Sequence, residues 1–166
     1  MLTELLPPPA EPVTLDEAKQ FLRIDHDAED GLIRTLIQSA RERLEAYLNS
    51  AMITRLFRVS VPAAVEVRLP RWPVIMVDAV RADDAPTSQF HADLRKRPST
   101  VSVFATEWIE IDFTAGYGET PDDVPAPLRQ ALLLLVAHAY ERREDPPVSM
   151  PLMVDALTLP YRVVGL

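Results

Sequence analysis

Apolar residues in this chain follow three different rhythms, and each predicts a different kind of element. Leu32, Ile33, Leu36, Ile37, Ala40, Leu44, Tyr47 and Leu48 recur at steps of three and four, so a helix over residues 28–49 has one apolar face. Its other face carries Arg34, Gln38, Arg41, Glu42 and Glu45, and Arg41 with Glu45, four apart, reads as a weak surface ion pair. A shorter helix precedes it. Thr14-Leu-Asp-Glu17 is a capping box, in which the Thr hydroxyl serves the third amide and the Glu carboxylate reaches back. Leu15, Ala18, Phe21 and Leu22 form its stripe, and Asp25-His26-Asp27 favours a turn that stops it near Ile24. From Thr54 the period falls to two. Phe57, Val59 and Val61 alternate with Arg58 and Ser60, and Val65, Val67 and Leu69 with Glu66 and Arg68. Residues 74–81, 89–94 and 100–105, then a run through Trp108, Ile109, Ile111 and Phe113, complete a set of half-buried antiparallel strands, a small sheet or barrel inserted between helices. Asp83-Asp84-Ala-Pro86 and Arg95-Lys-Arg-Pro98 read as turns.

Residues 124–144 show the third pattern, apolarity on nearly every side. Ala131 to Ala137 are all apolar. Pro125 and Pro127 suit a first turn, where the amide has no partner anyway. Asp122 and Asp123 upstream and Arg142 and Arg143 in the last turn complement the helix dipole. The run is too short to cross a bilayer, which takes about 20 apolar residues. A helix of this kind is covered on most sides. The first two helices offer stripes for two faces and the inserted sheet a third, unless another chain supplies part of the cover. The approach is Thr114-Ala-Gly-Tyr-Gly118, which holds two of the four glycines and predicts a sharp turn. Pro7-Pro8-Pro9 with Pro12, and Pro146-Pro147 with Pro151, cannot lie mid-helix or mid-sheet. The division that follows is an extended N-terminal arm at 1–12, a single helical domain at 13–145 with a β region inserted at about 54–115, and a tail at 146–166. The fold class is α+β, mainly helical: a small helical bundle with an inserted antiparallel β region and extended termini.

Composition narrows the function more than the fold. A chain of 166 residues buries enough surface for a sizeable core. There are no cysteines, so disulfides and thiolate ligands are excluded, and synthesis in the cytosol fits. The start lacks the basic residues, long apolar middle and cleavage site of a signal peptide, so none is expected. A net charge of −8 argues against nucleic acid as a bound partner, since phosphate binding needs a basic face. The charge is unevenly placed: residues 105–124 hold six acids and no base, while residues 51–104 are net basic. That asymmetry suits either a solvated surface or the stacking of charged faces between neighbours.

No catalytic set assembles. His26, His91 and His138 lie in separate segments with no pair at ligand spacing, and His138 reads as a core or interface histidine. Asp83-Asp84 and Asp122-Asp123 match no metal loop and fit turn and helix-start roles. Gly116-Tyr-Gly118 lacks the third glycine of a dinucleotide loop and the Gly-Lys-Ser/Thr of a phosphate loop. Arg95-Lys-Arg97 is a basic turn, solvated or paired with a neighbour's acids. No catalytic residue, metal ligand or cofactor site is expected. The end of the chain, Tyr161 to Leu166, is nearly uncharged and needs cover.

Several stretches, in this order and spacing, resemble the head–tail connector (adaptor) proteins of long-tailed bacteriophages and phage-derived gene transfer agents. They are Val13 to Lys19 with Leu22-Arg-Ile-Asp25, the helix from Asp30 to Tyr47, Leu69-Pro-Arg-Trp-Pro-Val74 with Val77 and Val80, Ile111 to Gly118, Val124 to Arg129, Tyr140 to Glu144, and Leu159-Pro-Tyr-Arg162. The resemblance covers nearly the whole chain. It implies a structural protein without enzymatic activity, made in the bacterial cytoplasm and carried in the neck of the virion or particle. Its copies would form a dodecameric ring under the portal, extend the DNA channel, and give a platform to a stopper or tail-side connector protein. DNA would pass without specific binding, and no membrane is involved. The resemblance also implies that the tail meets the portal or a neighbour, through Met150, Leu152, Met153, Leu157, Leu159, Tyr161, Arg162, Val163, Val164 and Leu166. By charge density, Glu107, Glu110, Asp112, Glu119, Asp122 and Asp123 are candidate acids of the lumen or subunit interface. Two other readings stay open on the residues alone: a free cytosolic oligomeric scaffold, and a small-anion or nucleotide binder at the Gly116–Asp123 turn, where a helix start could hold an anion.

Overall fold

A computed structural model describes residues 1–142 and 149–162. Helix α1 spans Leu15–Leu22 and helix α2 spans Asp30–Leu48. The capping box is present: the Thr14 hydroxyl accepts from the Glu17 amide at 3.2 Å, and the Glu17 carboxylate accepts from the Thr14 amide at 2.7 Å. Helix α3, Ala126–Glu141, lies against α1, α2 and α4, the last being Leu152–Thr158. Leu128, Ala131, Leu132, Leu135 and Val136 of α3 are buried. Its third principal cover is therefore α4 rather than the inserted sheet. Together these helices enclose one core, with Ile33, Ile37, Leu44 and Leu48 from α2 and Val154 from α4.

The β region has a second core of its own. Strands β2 (Arg55–Pro62), β4 (Val74–Ala82) and β8 (Trp108–Ala115) form the body of one antiparallel sheet. Two short edge strands complete it, β1 (Leu2–Glu4) beside β2 and β5 (Ala85–Pro86) beside β4. Strands β3 (Val67–Arg68), β7 (Thr100–Val103) and β6 (Phe90–Asp93) form a second sheet in that order. Phe57 and Val59 of β2 point inward with Ile109, Ile111 and Phe113 of β8, and Val67, Leu69 and Val101 meet them from the other sheet. In β2 and β8 the alternation read from the sequence is the alternation of inward and outward positions, whereas Val65 is exposed and β4, bulged twice, turns Ile75 and Met76 both outward.

The fold is α+β, but not mainly helical: among the described residues 36% are helix and 28% strand. Strands β1 and β5, absent from the sequence pattern, add a little to the strand share; they are two or three residues long, below the length at which period two is visible, and are set by pairing with longer neighbours.

Both sheets run from the helical layer to a far end. β8 leaves Trp108 at that end and brings Ala115 to the helices, where Gly116 donates its amide to Pro73 at 2.9 Å. Gly116 has φ +145, and a Cβ there would lie 2.4 Å from the Thr54 Cα, so only glycine fits. Tyr117 donates to Met52 at 3.1 Å and Thr54 to Gly118 at 2.8 Å, which seals the seam between the two cores.

Candidate functional site

The C-terminal segment is amphipathic and only half used. Pro151 precedes α4, and a 3-10 turn at Leu159–Tyr161 follows it. Val154 and Thr158 are buried against the helical core, and Met150, Leu157 and Tyr161 are partly buried there. On the other side Leu152 is 87% exposed, Met153 66% and Leu159 64%. Polar contacts hold the segment down. Arg43 donates to the Ser149 carbonyl at 3.0 Å, and the Tyr47 hydroxyl donates to the Asp155 carboxylate. That hydrogen bond, followed by burial, holds the Tyr47 phenol above its usual pKa. The Arg162 guanidinium lies over the Tyr47 ring, 4.8 Å from its centroid. Arg97 stacks on Trp72 at 4.1 Å and donates to the Pro160 carbonyl at 3.1 Å. Part of the Arg95-Lys-Arg97 turn is therefore spent within the chain; Lys96 also meets Glu66 at 3.4 Å.

Of the ten tail residues singled out from the sequence, Leu152, Met153, Leu159 and Arg162 are exposed, while Met150, Leu157 and Tyr161 largely serve the chain's own core. Val163, Val164 and Leu166 lie outside the described residues, as do Arg143 and Glu144 after α3.

The six acids do not form one patch. Asp112 is buried on β8 and takes a bidentate contact from Arg58 at 2.6 and 2.8 Å, with Arg81 at 3.3 Å. The Arg58 hydrogen bonds outweigh burial and hold its carboxyl below the usual range. Glu110 is half-buried beside Ser60 and Arg81. Glu107 is exposed at the far end of the β region. Glu119 is exposed near the start of α3, and Asp122 there pairs with Arg129 at 3.1 Å. Asp123 accepts from the Thr120 amide at 2.9 Å, which holds its pKa down, and its carboxylate fills the space beside Gly118. An anion at the Gly116–Asp123 turn would meet that carboxylate, so the turn is poorly suited to phosphate.

A charged cluster escaped the sequence reading. Arg41 and Glu45 are not a surface pair but are buried together. Glu45 accepts from Arg41 at 3.1 Å, from Arg55 at 2.7 and 3.0 Å, and from the Met52 amide at 2.7 Å. The N-terminal arm adds Glu11, 2.8 Å from Arg41, and Glu4, 3.1 Å from Arg55. Burial works against both guanidinium charges, but the hydrogen bonds and charge of Glu11 and Glu45 keep Arg41 above its usual pKa, and Glu45 and Glu4 do the same for Arg55. The signal was present: Arg55 stands in phase with the inward Phe57 and Val59, and an inward arginine requires a buried carboxylate.

No group of metal-ligating side chains gathers among the described residues, and no helix there is long and apolar enough to cross a membrane. What the surface offers is an exposed apolar helix face and an acidic approach on a two-core body, the equipment of a structural assembly component. The sequence profile of the phage gp6-like head–tail connector protein family matches residues 12–85. Solved structures agree over the full length. A chain in the virion of a native gene transfer agent particle is 30% identical, with 100% of this chain and 97% of that one covered and a TM-score of 0.84. Chains in the neck of an empty particle computed with C6 symmetry and in the neck of a native particle computed with C12 symmetry are 28% and 29% identical. They have TM-scores of 0.83 and 0.79 at the same coverage. No curated protein matches. This chain belongs to the phage gp6-like head–tail connector family, and its role is that of a structural connector in the neck of a phage-like particle.

Proposed function

We propose that twelve copies of this chain form a ring under the portal, with the tail at 146–166 as the docking segment and the opposite side as the platform for a stopper or tail-side connector. The observation that carries this reading is the exposed Leu152, Met153 and Leu159 face on a segment otherwise fastened to the body. Monomeric proteins seldom leave a continuous apolar helix face in water, and such a face suits a partner groove. The C12 and C6 necks that contain similar chains support the ring. Of the candidate acids, Glu119 and Asp122 are the exposed pair this reading turns toward the channel, where negative charge lets DNA slide without binding.

The test is co-purification with portal rings. Leu152→Ser with Met153→Ser should weaken portal association about tenfold or more while leaving the unfolding midpoint unchanged, because neither side chain is in the core. Removal of residues 148–166 should abolish it. Portal association at wild-type strength in both variants overturns the tail assignment.

A further inference from the structure

Ile75 and Met76 of β4 are 51% and 49% exposed, at the end of the strand next to the helices. A bulge between Val74 and Met76 turns both outward, and a second follows between Val77 and Ala79. Over residues 74–79 the strand pairs with β8 alone among the described residues, since β5 meets only Arg81 and Ala82. A twice-bulged edge is a poor template for another strand. It offers side chains instead of a ladder: two adjacent apolar ones and, just beyond them, the exposed Asp78, which accepts from the Thr114 hydroxyl at 2.8 Å through one carboxylate oxygen.

A matching cavity of about 370 Å³ opens where the arm crosses the helices. Val13, Leu15 and Ile37 give it an apolar lining, Ala10 and Glu11 of the arm close one side, and Arg34 and Gln38 stand exposed beside it. Glu11 is spent on Arg41 at 2.8 Å, whereas among the described residues Arg34 has only a 3.9 Å contact with Asp30. The charge free to meet a partner at this mouth is therefore positive. The chain's own tail is fastened to the other side of α2, by Arg43 and Tyr47.

Position shows what the two surfaces can do together. The larger sheet runs β1-β2-β8-β4-β5, so the arm that begins as β1 lies along one flank and β4 along the other. Because the strands run from pole to pole, both flanks face sideways. Both surfaces also lie beside the seam: Met76 pairs with Thr114, next to the turn into the helices, and Glu11 belongs to the charge cluster that bridges the two cores. An apolar knob with an acid on one flank and an apolar hole with a base on the other, at one height, suit a head-to-tail contact that closes into a ring. We infer that neighbouring copies of this chain join by this pair of surfaces, Ile75 and Met76 of one copy seating in the arm-side cavity of the next and Asp78 of the first meeting Arg34 of the second. The inference rests on the ring reading and names the contact between its copies.

The experiment traps that contact in the full-length chain assembled on portal rings. The sequence has no cysteine, so introduced ones report without interference. A Met76→Cys chain mixed with a Gln38→Cys chain should give disulfide-linked pairs under mild oxidation, and the double variant a ladder of linked copies, while neither single variant links to itself. Arg34→Glu should weaken association between copies about tenfold or more, read by sedimentation, at an unchanged melt, and Asp78→Arg in the same chain should restore most of it. Val65 and Phe104, 90% and 87% exposed, stand at the far pole, so Val65→Ser with Phe104→Ser should leave association unchanged. Three results overturn this pairing and leave the ring: links within the Met76→Cys chain alone, links from Gln38→Cys to the portal, or full assemblies with no link in the mixture. Loss of association in the far-pole variant does the same. A wild-type chain that stays in single copies or does not load on the portal overturns the ring reading itself.

Discussion

Glu45 is the residue on which the two halves of the molecule converge. Its carboxylate meets an arginine from α2, an arginine from β2 and the Met52 amide between them. Removing the carboxylate that two buried guanidinium groups share leaves each with only its partner from the arm, Glu11 for Arg41 and Glu4 for Arg55, at a cost of about 3 kcal/mol. Glu45→Ala should therefore lower the urea midpoint sharply, with loss of native near-ultraviolet signal at modest denaturant. Asp112 offers a milder and pH-dependent case. Its carboxyl is held below the usual range, so its stabilising effect is fully present above the unfolded pKa near 4 and is lost as the pH falls through the folded value. Asp112→Asn should be destabilising by about 1–3 kcal/mol at pH 7. The gap between variant and wild type should shrink below about pH 4, as read from denaturation curves at several pH values. The outcome that contradicts this is a difference independent of pH.

At the scale of elements, the connection from β8 to α3 is the strictest. Gly116→Ala would place a methyl 2.4 Å from backbone atoms of Thr54 at a φ that L residues avoid, and should destabilise by about 2–3 kcal/mol or more. A thermal melt matching wild type would refute that. The glycine pair around Tyr117 marked this turn in the sequence, as the capping box marked the start of α1 and the alternation of Phe57 and Val59 marked β2. Those signals are local, so they survive without the fold. What was hidden depends on distant partners. β1 has no pattern in three residues and exists because the edge of β2 receives it. Glu45 lies on the polar stripe of an amphipathic helix, and only the placement of Arg55 beside it reveals that the stripe is buried there. The surfaces divided the same way. Apolar residues of the tail were visible as a group, but which of them face inward was settled by Val154 and Thr158 seating on α3, not by their composition. Phe104 and Val65 read as ordinary strand positions because alternation cannot distinguish a residue inside a sheet from one just past its end.

For the whole molecule, the arm from residue 1 to residue 12 is a structural strap. It covers the β2 edge and delivers Glu4 and Glu11 to two buried guanidinium groups. Deleting residues 1–5 should expose that edge and leave Arg55 with one carboxylate fewer, lowering the melting temperature and promoting aggregation on light scattering. Full solubility and an unchanged melt would contradict the role given to the arm. The seam that this strap crosses has a mechanical consequence for a part built into a neck. Three stretches of covalent chain join the helical half to the β half: the arm, the segment from α2 to β2, and the return through Gly116. The cluster around Glu45 bridges them at the middle. Force applied between the helical half and the β half is divided among three tethers and a charge cluster that cannot shear without separating buried ions. A body joined in that way resists bending at its waist, so a push arriving at one pole reaches the other with little lost to flexure.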